Sequence, residues 1–196
     1  MIALAGPLGP AAAGLALLTA ASADRERERP GDGAAGDRAA SDITAGLAPS
    51  LTALVAAQRR PRPPYDAGPE AARLGATAMI DVSDGLLADL GHLAAASGVQ
   101  ADVSRQALPV GPALLAAAAS LTARPASSRT GAADSPEAMA LDWALAGGED
   151  HSLVATFPPA SLLPARWQPI GSVRAGSGVT VDGAPWRGRG GWQHFR

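Results

Sequence analysis

The chain of 196 residues has no cysteine, which excludes disulfides, thiolate zinc sites, iron–sulfur clusters and cysteine nucleophiles. It has no lysine either, since all 16 basic residues are arginine. A P-loop lysine, a Schiff-base lysine and a pyridoxal site are therefore excluded as well. Aromatic residues are scarce: four Trp, one Tyr and two Phe. The hydrophobic fraction of 47% is half alanine, because 47 residues are Ala. A core must be built from Leu, Val, Ala and a few Trp. The net charge of −2 argues against a general nucleic-acid partner. Long hydrophobic runs are missing too. Met1 to Ala23 is apolar and Ala21-Ser22-Ala23 has the form of a signal-peptidase site, but no positive charge precedes it. Gly6, Pro7, Gly9 and Pro10 break the run far short of the ~20 residues that span a bilayer. The segment reads instead as a short strand over Ile2–Ala5, a Gly-Pro-Leu-Gly turn and an Ala/Leu helix from about Pro10. The expected location is cytoplasmic, with no membrane partner.

What is present divides the chain. A protein that opens inside a strand reads as one that starts midway through a larger fold. Asp24 to Ser41 alternates charges among glycines with no large apolar residue, the composition of a disordered insertion. Residues 1–23 and 42–196 then form one domain, with a second flexible insertion at 122–135. Leu47, Leu51, Leu54 and Val55 stand at helical spacing within Ile43 to Gln58. Arg59 to Tyr65 must be extended, because residues before proline avoid the helical region. Pro69 to Gly75 fits a brief helix. Thr77 to Val82 reads as a buried strand, Leu86 to Ser97 as a helix closed by Gly98, and Val99 to Val103 as a second strand. A helix from Pro109 to about Leu121, another over Pro136 to Ala146, and a strand over Ser152 to Phe157 follow. Ile170 to Val173 and Gly178 to Val181 are expected to pair as a hairpin, and Asp182-Gly183 to supply a turn. The fold class is α/β (α+β), a two-layer mixed sheet with helices packed on one side.

Two polar clusters interrupt this apolar pattern. In the first, Ile80 to Leu86 (IDVSDGL), strand alternation points Asp81 and Ser83 to one side, and Asp84 follows at the corner into a helix. Two carboxylates and a hydroxyl at a strand end suit magnesium, and the helix that follows offers free N–H groups to phosphate oxygens. The alternative is that Ser83 or Asp84 caps the helix; capping does not explain a carboxylate inside an apolar strand. In the second cluster, Gly147-Gly148-Glu149-Asp150-His151, the glycines fit a helix C-cap, while Glu149 and Asp150 are able to accept hydrogen bonds from a cationic or hydroxylated ligand. His92, His151 and His194 have no zinc-ligand spacing, and His92 is expected on the solvent face of its helix. The terminal Trp192 and Phe195 fit a tail that docks or covers an aromatic ligand, or one that frays.

IDVSDGL with LADLGHLAAASGV (Leu87 to Val99), LAGGEDHSL (Leu145 to Leu153) and GWQHF at the end closely resemble thiamine-monophosphate kinase, as do AGPLG (Ala5 to Gly9), AAAGLALL (Ala11 to Leu18) and RRPRPPY (Arg59 to Tyr65). SDGL and GGED recur in the wider superfamily of aminoimidazole ribonucleotide synthetase; their combination with the aromatic-His-Phe terminus is specific to the thiamine enzyme. The resemblance covers nearly the whole chain apart from the two insertions, and it is to the C-terminal half of the kinase. It implies transfer of the ATP γ-phosphoryl group to thiamine monophosphate, giving thiamine diphosphate, with magnesium bridging the phosphates. It implies that Asp81 and Asp84 are magnesium ligands, that Ser83 contacts ATP, that Glu149 with Asp150 holds thiamine monophosphate, and that Trp192 stacks on the thiamine. It also implies a homodimer and an N-terminal domain, which supplies most of the magnesium-binding aspartates and is expected to be absent here or to be a separate partner. The alternative is a non-catalytic fragment or ligand-binding module that keeps the thiamine-phosphate pocket. The family's usual Tyr-Glu after GGED is His151-Ser152 here.

Overall fold

A computed structural model describes residues 1–27, 46–124, 135–159, 161–188 and 191. The chain opens with strand β1 (Ile2–Ala5), whose four residues are all buried. The expected turn then leads into helix α1 (Pro10–Arg27). Helices α2 (Pro49–Arg59) and α3 (Ala67–Arg73) precede β2 (Ala78–Val82), α4 (Leu86–Ser97) and β3 (Gln100–Val103). A 3₁₀ turn (Arg105–Ala107), α5 (Pro112–Thr122), α6 (Pro136–Ala146), β4 (Ser152–Thr156), β5 (Trp167–Arg174) and β6 (Gly178–Val181) complete the order. Among the described residues no helix is long and apolar enough to cross a membrane.

The six strands form one mixed sheet in the order β2-β4-β1-β5-β3-β6. Every pairing is antiparallel except that of β3 with β6. Alternation along β1 sends Ile2 and Leu4 into the main core with Leu86, Leu90, Leu145 and Val154. Behind that layer α1, α2, α5 and α6 share a second cluster, in which Leu17, Leu54, Val55 and Leu114 are buried. Ala3 and Ala5 point the other way, onto Ala67 and Ala71 of α3. The mixed sheet is as expected, but this one short helix covers the face opposite the others. Small residues on both sides allow the close approach, and Trp167 ties it down by donating from Nε1 to Glu70 Oε2 at 2.9 Å. The Trp167 ring also meets Phe157 edge-on, with centroids 5.3 Å apart.

The expected hairpin between the last two strands does not form. β3 lies between them, antiparallel to β5 and parallel to β6. Two strand spacings are roughly 9–10 Å, which a three-residue link is able to bridge, so adjacency in sequence does not enforce pairing. The turn at Asp182-Gly183 is real, with both residues at positive φ, and it folds the chain back so that Val181 bridges Ala184. The stretch expected to be an insertion from Asp24 is helical at its start, because α1 runs on to Arg27. Asp24 in that last turn accepts from Arg124 Nη1 at 2.8 Å, a clasp between the ends of α1 and α5. The rest of that stretch up to residue 45, and 125–134 in the second insertion, lie outside the described residues.

Candidate functional site

β2 and β4 pair in a register that sets Asp81 opposite Leu153 and Val82 opposite Ser152. The residues after β2 and those before β4 must therefore run side by side. Glu149 N–H donates to Ser83 O at 2.8 Å, and His151 N–H donates to Val82 O at 2.9 Å. The contact is backbone on backbone: a Cβ on Gly148 would lie 2.4 Å from Ser83 O, and one on Gly85 would lie 2.7 Å from Ala146 O. These glycines therefore serve close approach between two loops. The two polar clusters, some 65 residues apart along the chain but joined through β2–β4 pairing, form one corner at the sheet edge.

Within this corner the acids divide into two kinds. Asp89 and Asp150 turn inward. Asp89, in the first turn of α4 and only 3% exposed, accepts through Oδ2 from the N–H groups of Ser83, Asp84 and Gly85 at 3.0, 3.1 and 3.1 Å. Burial nonetheless pushes its carboxyl above the ordinary range, the N–H donors opposing. The N-cap of α4 is Gly85, without a side-chain cap, so the carboxylate that organises this turn comes from inside the helix. Asp89 was not among the expected site residues. Its signal was present in the sequence, an acid on the stripe of Leu86, Leu90 and Leu93.

Asp150 departs from expectation. It is buried, and its two oxygens accept from Gly9 N–H at 2.5 Å and Ala11 N–H at 2.9 Å, at the start of α1. Both oxygens of the carboxylate are thus engaged in anchoring the glycine-proline turn to the corner. Burial raises its pKa to about 6, against the pull of those donors and of His151.

Asp81 and Glu149 turn outward, with side chains 52% and 66% exposed. His151 stands between them: Nδ1 is 3.5 Å from Asp81 Oδ2, and Nε2 is 3.6 Å from Glu149 Oε2. Glu149 and His151 both adopt positive φ, 69° and 51°, a conformation non-glycine residues take at a cost of about 1–3 kcal/mol. The kinked backbone is what sends Glu149 and Asp150 in opposite directions. A hollow of about 320 Å³ adjoins Asp81 and His151, walled by Pro61 and Tyr65. Ser83 and Asp84 sit half-buried at the turn itself. Among the described residues no three His, Asp or Glu side chains gather as a metal cage. His92 is exposed on its helix, as expected. Trp192 lies outside the described residues, but Gly191 before it does not: a Cβ there would fall 2.8 Å from Asp84 O and 2.7 Å from Ala88 Cβ. The chain thus crosses the start of α4 just before Trp192.

No family model matches the sequence. Among curated proteins, the chain is 49% identical to "Thiamine-monophosphate kinase" of Mycobacterium tuberculosis (strain ATCC 25618 / H37Rv) over 137 residues, 69% of this chain and 36% of that protein. It is 35% identical to the protein of the same name from Aquifex aeolicus (strain VF5) over 126 residues, 61% of this chain and 34% of that one. Among solved structures, AaThiL complexed with AMPPCP and TMP superposes with a TM-score of 0.71 at 30% identity, covering 99% of this chain and 50% of that one. Thiamine-monophosphate kinase from Stenotrophomonas maltophilia K279a gives 0.63 at 30% identity, covering 94% and 50%. The chain spans about a third of the length of the curated relatives it matches, and half of the solved chains.

Proposed function

We propose that this chain, similar in sequence and fold to thiamine-monophosphate kinases over part of their length, acts within such a kinase in the ATP-dependent phosphorylation of thiamine monophosphate to thiamine diphosphate. The observation that carries this reading is the meeting of the two polar clusters at one sheet-edge corner, with outward carboxylates on both loops. The reaction needs positioning and charge neutralisation more than covalent chemistry. A phosphate oxygen of thiamine monophosphate attacks the γ-phosphorus, the bond to the bridging oxygen breaks, and ADP leaves.

Asp81 and Asp84 would hold Mg²⁺. The donor set fits: they are hard-oxygen ligands at a strand end, and magnesium keeps waters and phosphate oxygens as its other ligands, so a full protein cage is not needed. When bound, the ion neutralises phosphate charge. Ser83 would donate its hydroxyl to a nucleotide phosphate. Glu149, held outward by its positive φ, would accept from the cationic thiamine, and Trp192 would stack on the ring. Asp150 would act through Glu149 by fixing the loop. The remaining nucleotide contacts, and the dimer contacts the resemblance implies, would come from the part of the kinase this chain does not span.

The test is calorimetric titration of thiamine monophosphate into the purified chain with magnesium and AMPPCP. Saturable, magnesium-dependent binding is expected. Asp84→Asn should raise the magnesium requirement about tenfold or more while leaving the circular dichroism spectrum unchanged. Binding with an unaltered magnesium requirement in Asp84→Asn would overturn the metal assignment.

A further inference from the structure

The sequence carries three arginines in four positions, Arg59, Arg60 and Arg62, at the point where α2 ends. Helix geometry explains one of them. A cation in the last turn complements the helix dipole, and Arg59 is placed there. Arg60 and Arg62 lie beyond the helix, on backbone that Pro61, Pro63 and Pro64 keep extended. All three are exposed, and among the described residues none is paired with a carboxylate.

They are not scattered over a convex surface. All three border a groove of about 850 Å³ between α2, the turn before α1 and the start of α5. Its floor is apolar, with Pro7, Leu54 and Ala113 among its lining. Among the described residues the one acid that reaches it is Asp150, whose oxygens are already taken by Gly9 and Ala11 N–H groups. The groove thus has a positive rim, an apolar floor and, among the described residues, no competing free carboxylate. Its volume lies within the roughly 300–1,000 Å³ of small-molecule sites. Asp81, Ser83, Asp84 and Glu149 do not line it, although Pro61 borders both this groove and the hollow beside Asp81.

We propose that this groove binds a phosphorylated small molecule, its phosphate oxygens clasped by Arg59, Arg60 and Arg62 and its apolar body lying on the α2 floor. Guanidinium forks match phosphate oxygens in two parallel hydrogen bonds, and the prolines pre-order the segment so that little entropy is lost on binding. This is an anion site separate from the metal-dependent corner.

The distinction sets the experiment. Pyrophosphate is titrated into the full chain in EDTA, where a magnesium-dependent corner is silent. One saturable site is expected, weakening as salt rises. The variant carrying Arg59→Gln, Arg60→Gln and Arg62→Gln should bind about tenfold more weakly or worse, one factor of ten being about 1.4 kcal/mol. Glu149→Gln should bind pyrophosphate unchanged. Should the triple variant lose its circular dichroism signal, Arg60→Gln and Arg62→Gln are titrated singly, each with a weakening of about threefold expected. Inorganic phosphate, ATP and thiamine monophosphate, titrated in the same buffer, identify the source of the phosphate; adenosine, which has none, should not bind. Pyrophosphate binding that is absent, or indifferent to the arginines, overturns the proposal. Failure of the kinase reading shows separately, as loss of the magnesium-dependent arm alone.

Discussion

The two edges of the sheet carry acids in opposite states. At the β3–β6 edge every acid has a protein donor. Asp102 accepts through Oδ1 from Thr180 Oγ1 at 2.7 Å and Gly183 N–H at 2.8 Å, and pairs through Oδ2 with Arg174 Nη2 at 2.9 Å. The Thr180 hydrogen bond, above all, holds its carboxyl below the usual range. Asp182 binds the side chain and N–H of Arg105, which lower its pKa as well. At the β2–β4 edge Asp81 and Glu149 share one imidazole and, among the described residues, no arginine. The same residue type is a fastener where protein donors consume its lone pairs, and is available to a cation where they do not. Arginine pairs with acid at one edge while carboxylate stands exposed at the other, and that asymmetry, rather than any count of acids, is what makes the β2–β4 corner the candidate site.

The largest expected effect tests this asymmetry on stability. Asp102→Ala leaves the buried Thr180 hydroxyl without its acceptor and removes one from the more exposed Gly183 N–H and Arg174 guanidinium. It should cost about 2–4 kcal/mol, in line with breaking a buried hydrogen-bonded network. Asp81→Ala removes an exposed carboxylate and should change unfolding free energy by no more than about 0.5 kcal/mol. Urea denaturation of both variants decides it, and comparable losses at the two edges would erase the distinction.

The next effect separates the inward acids of the corner from its outward ones, and is read through pH. Asp150 titrates near 6 in the folded chain against an ordinary value of 3.8. The folded state therefore binds its proton more tightly than the unfolded state does. Stability from this group is greatest below about pH 4, falls as pH rises towards about 6, and stays at the lower level above it. The whole excursion is up to about 3 kcal/mol. Asp150→Asn cannot ionise, so unfolding free energy measured from pH 4 to pH 7 should shift in the variant's favour by that order. A pH-independent difference between the two proteins would mean that the N–H donors at α1, rather than burial, set the state of Asp150.

Sequence patterns specified most of this architecture where a local rule acted alone. The stripe of Leu86, Leu90 and Leu93 and the closing Gly98 placed α4 to the residue, and Pro136 and Gly147 did the same for α6. Partner choice between strands was not legible, because Ile170 to Val173 and Gly178 to Val181 look alike to a hairpin rule, and only the third strand, β3, decides that they lie apart. The same limit applied to the corner. Both clusters were visible as polar interruptions, but direction was not: nothing in Glu149-Asp150 says which acid turns outward, since that depends on positive φ at Glu149 and on N–H groups some 140 residues away at the start of α1. An acid in the first turn of a helix is ordinary, so Asp89 does not stand out by pattern alone, although its three donors, the N–H groups of Ser83, Asp84 and Gly85, lie only four to six residues back along the chain.

The smallest expected effect asks whether the open edge is aimed at a ligand. Thiamine is cationic and aromatic, so an indole face attracts it by stacking and cation–π contact worth roughly 0.5–2 kcal/mol. Trp192→Ala should then weaken thiamine monophosphate binding by up to about thirtyfold and leave AMPPCP affinity and the urea midpoint nearly unchanged. Gly191→Ala supplies the geometric control. Its φ of 97° and the closeness of Asp84 O and Ala88 to an added Cβ force the chain away from the start of α4. If that crossing is what delivers Trp192 to the corner, Gly191→Ala must lose thiamine monophosphate affinity as well, with the indole still present. Loss with Trp192→Ala and full affinity with Gly191→Ala would detach the stacking contact from the Asp84 corner. No loss with either would leave Glu149 as the thiamine contact of the open edge.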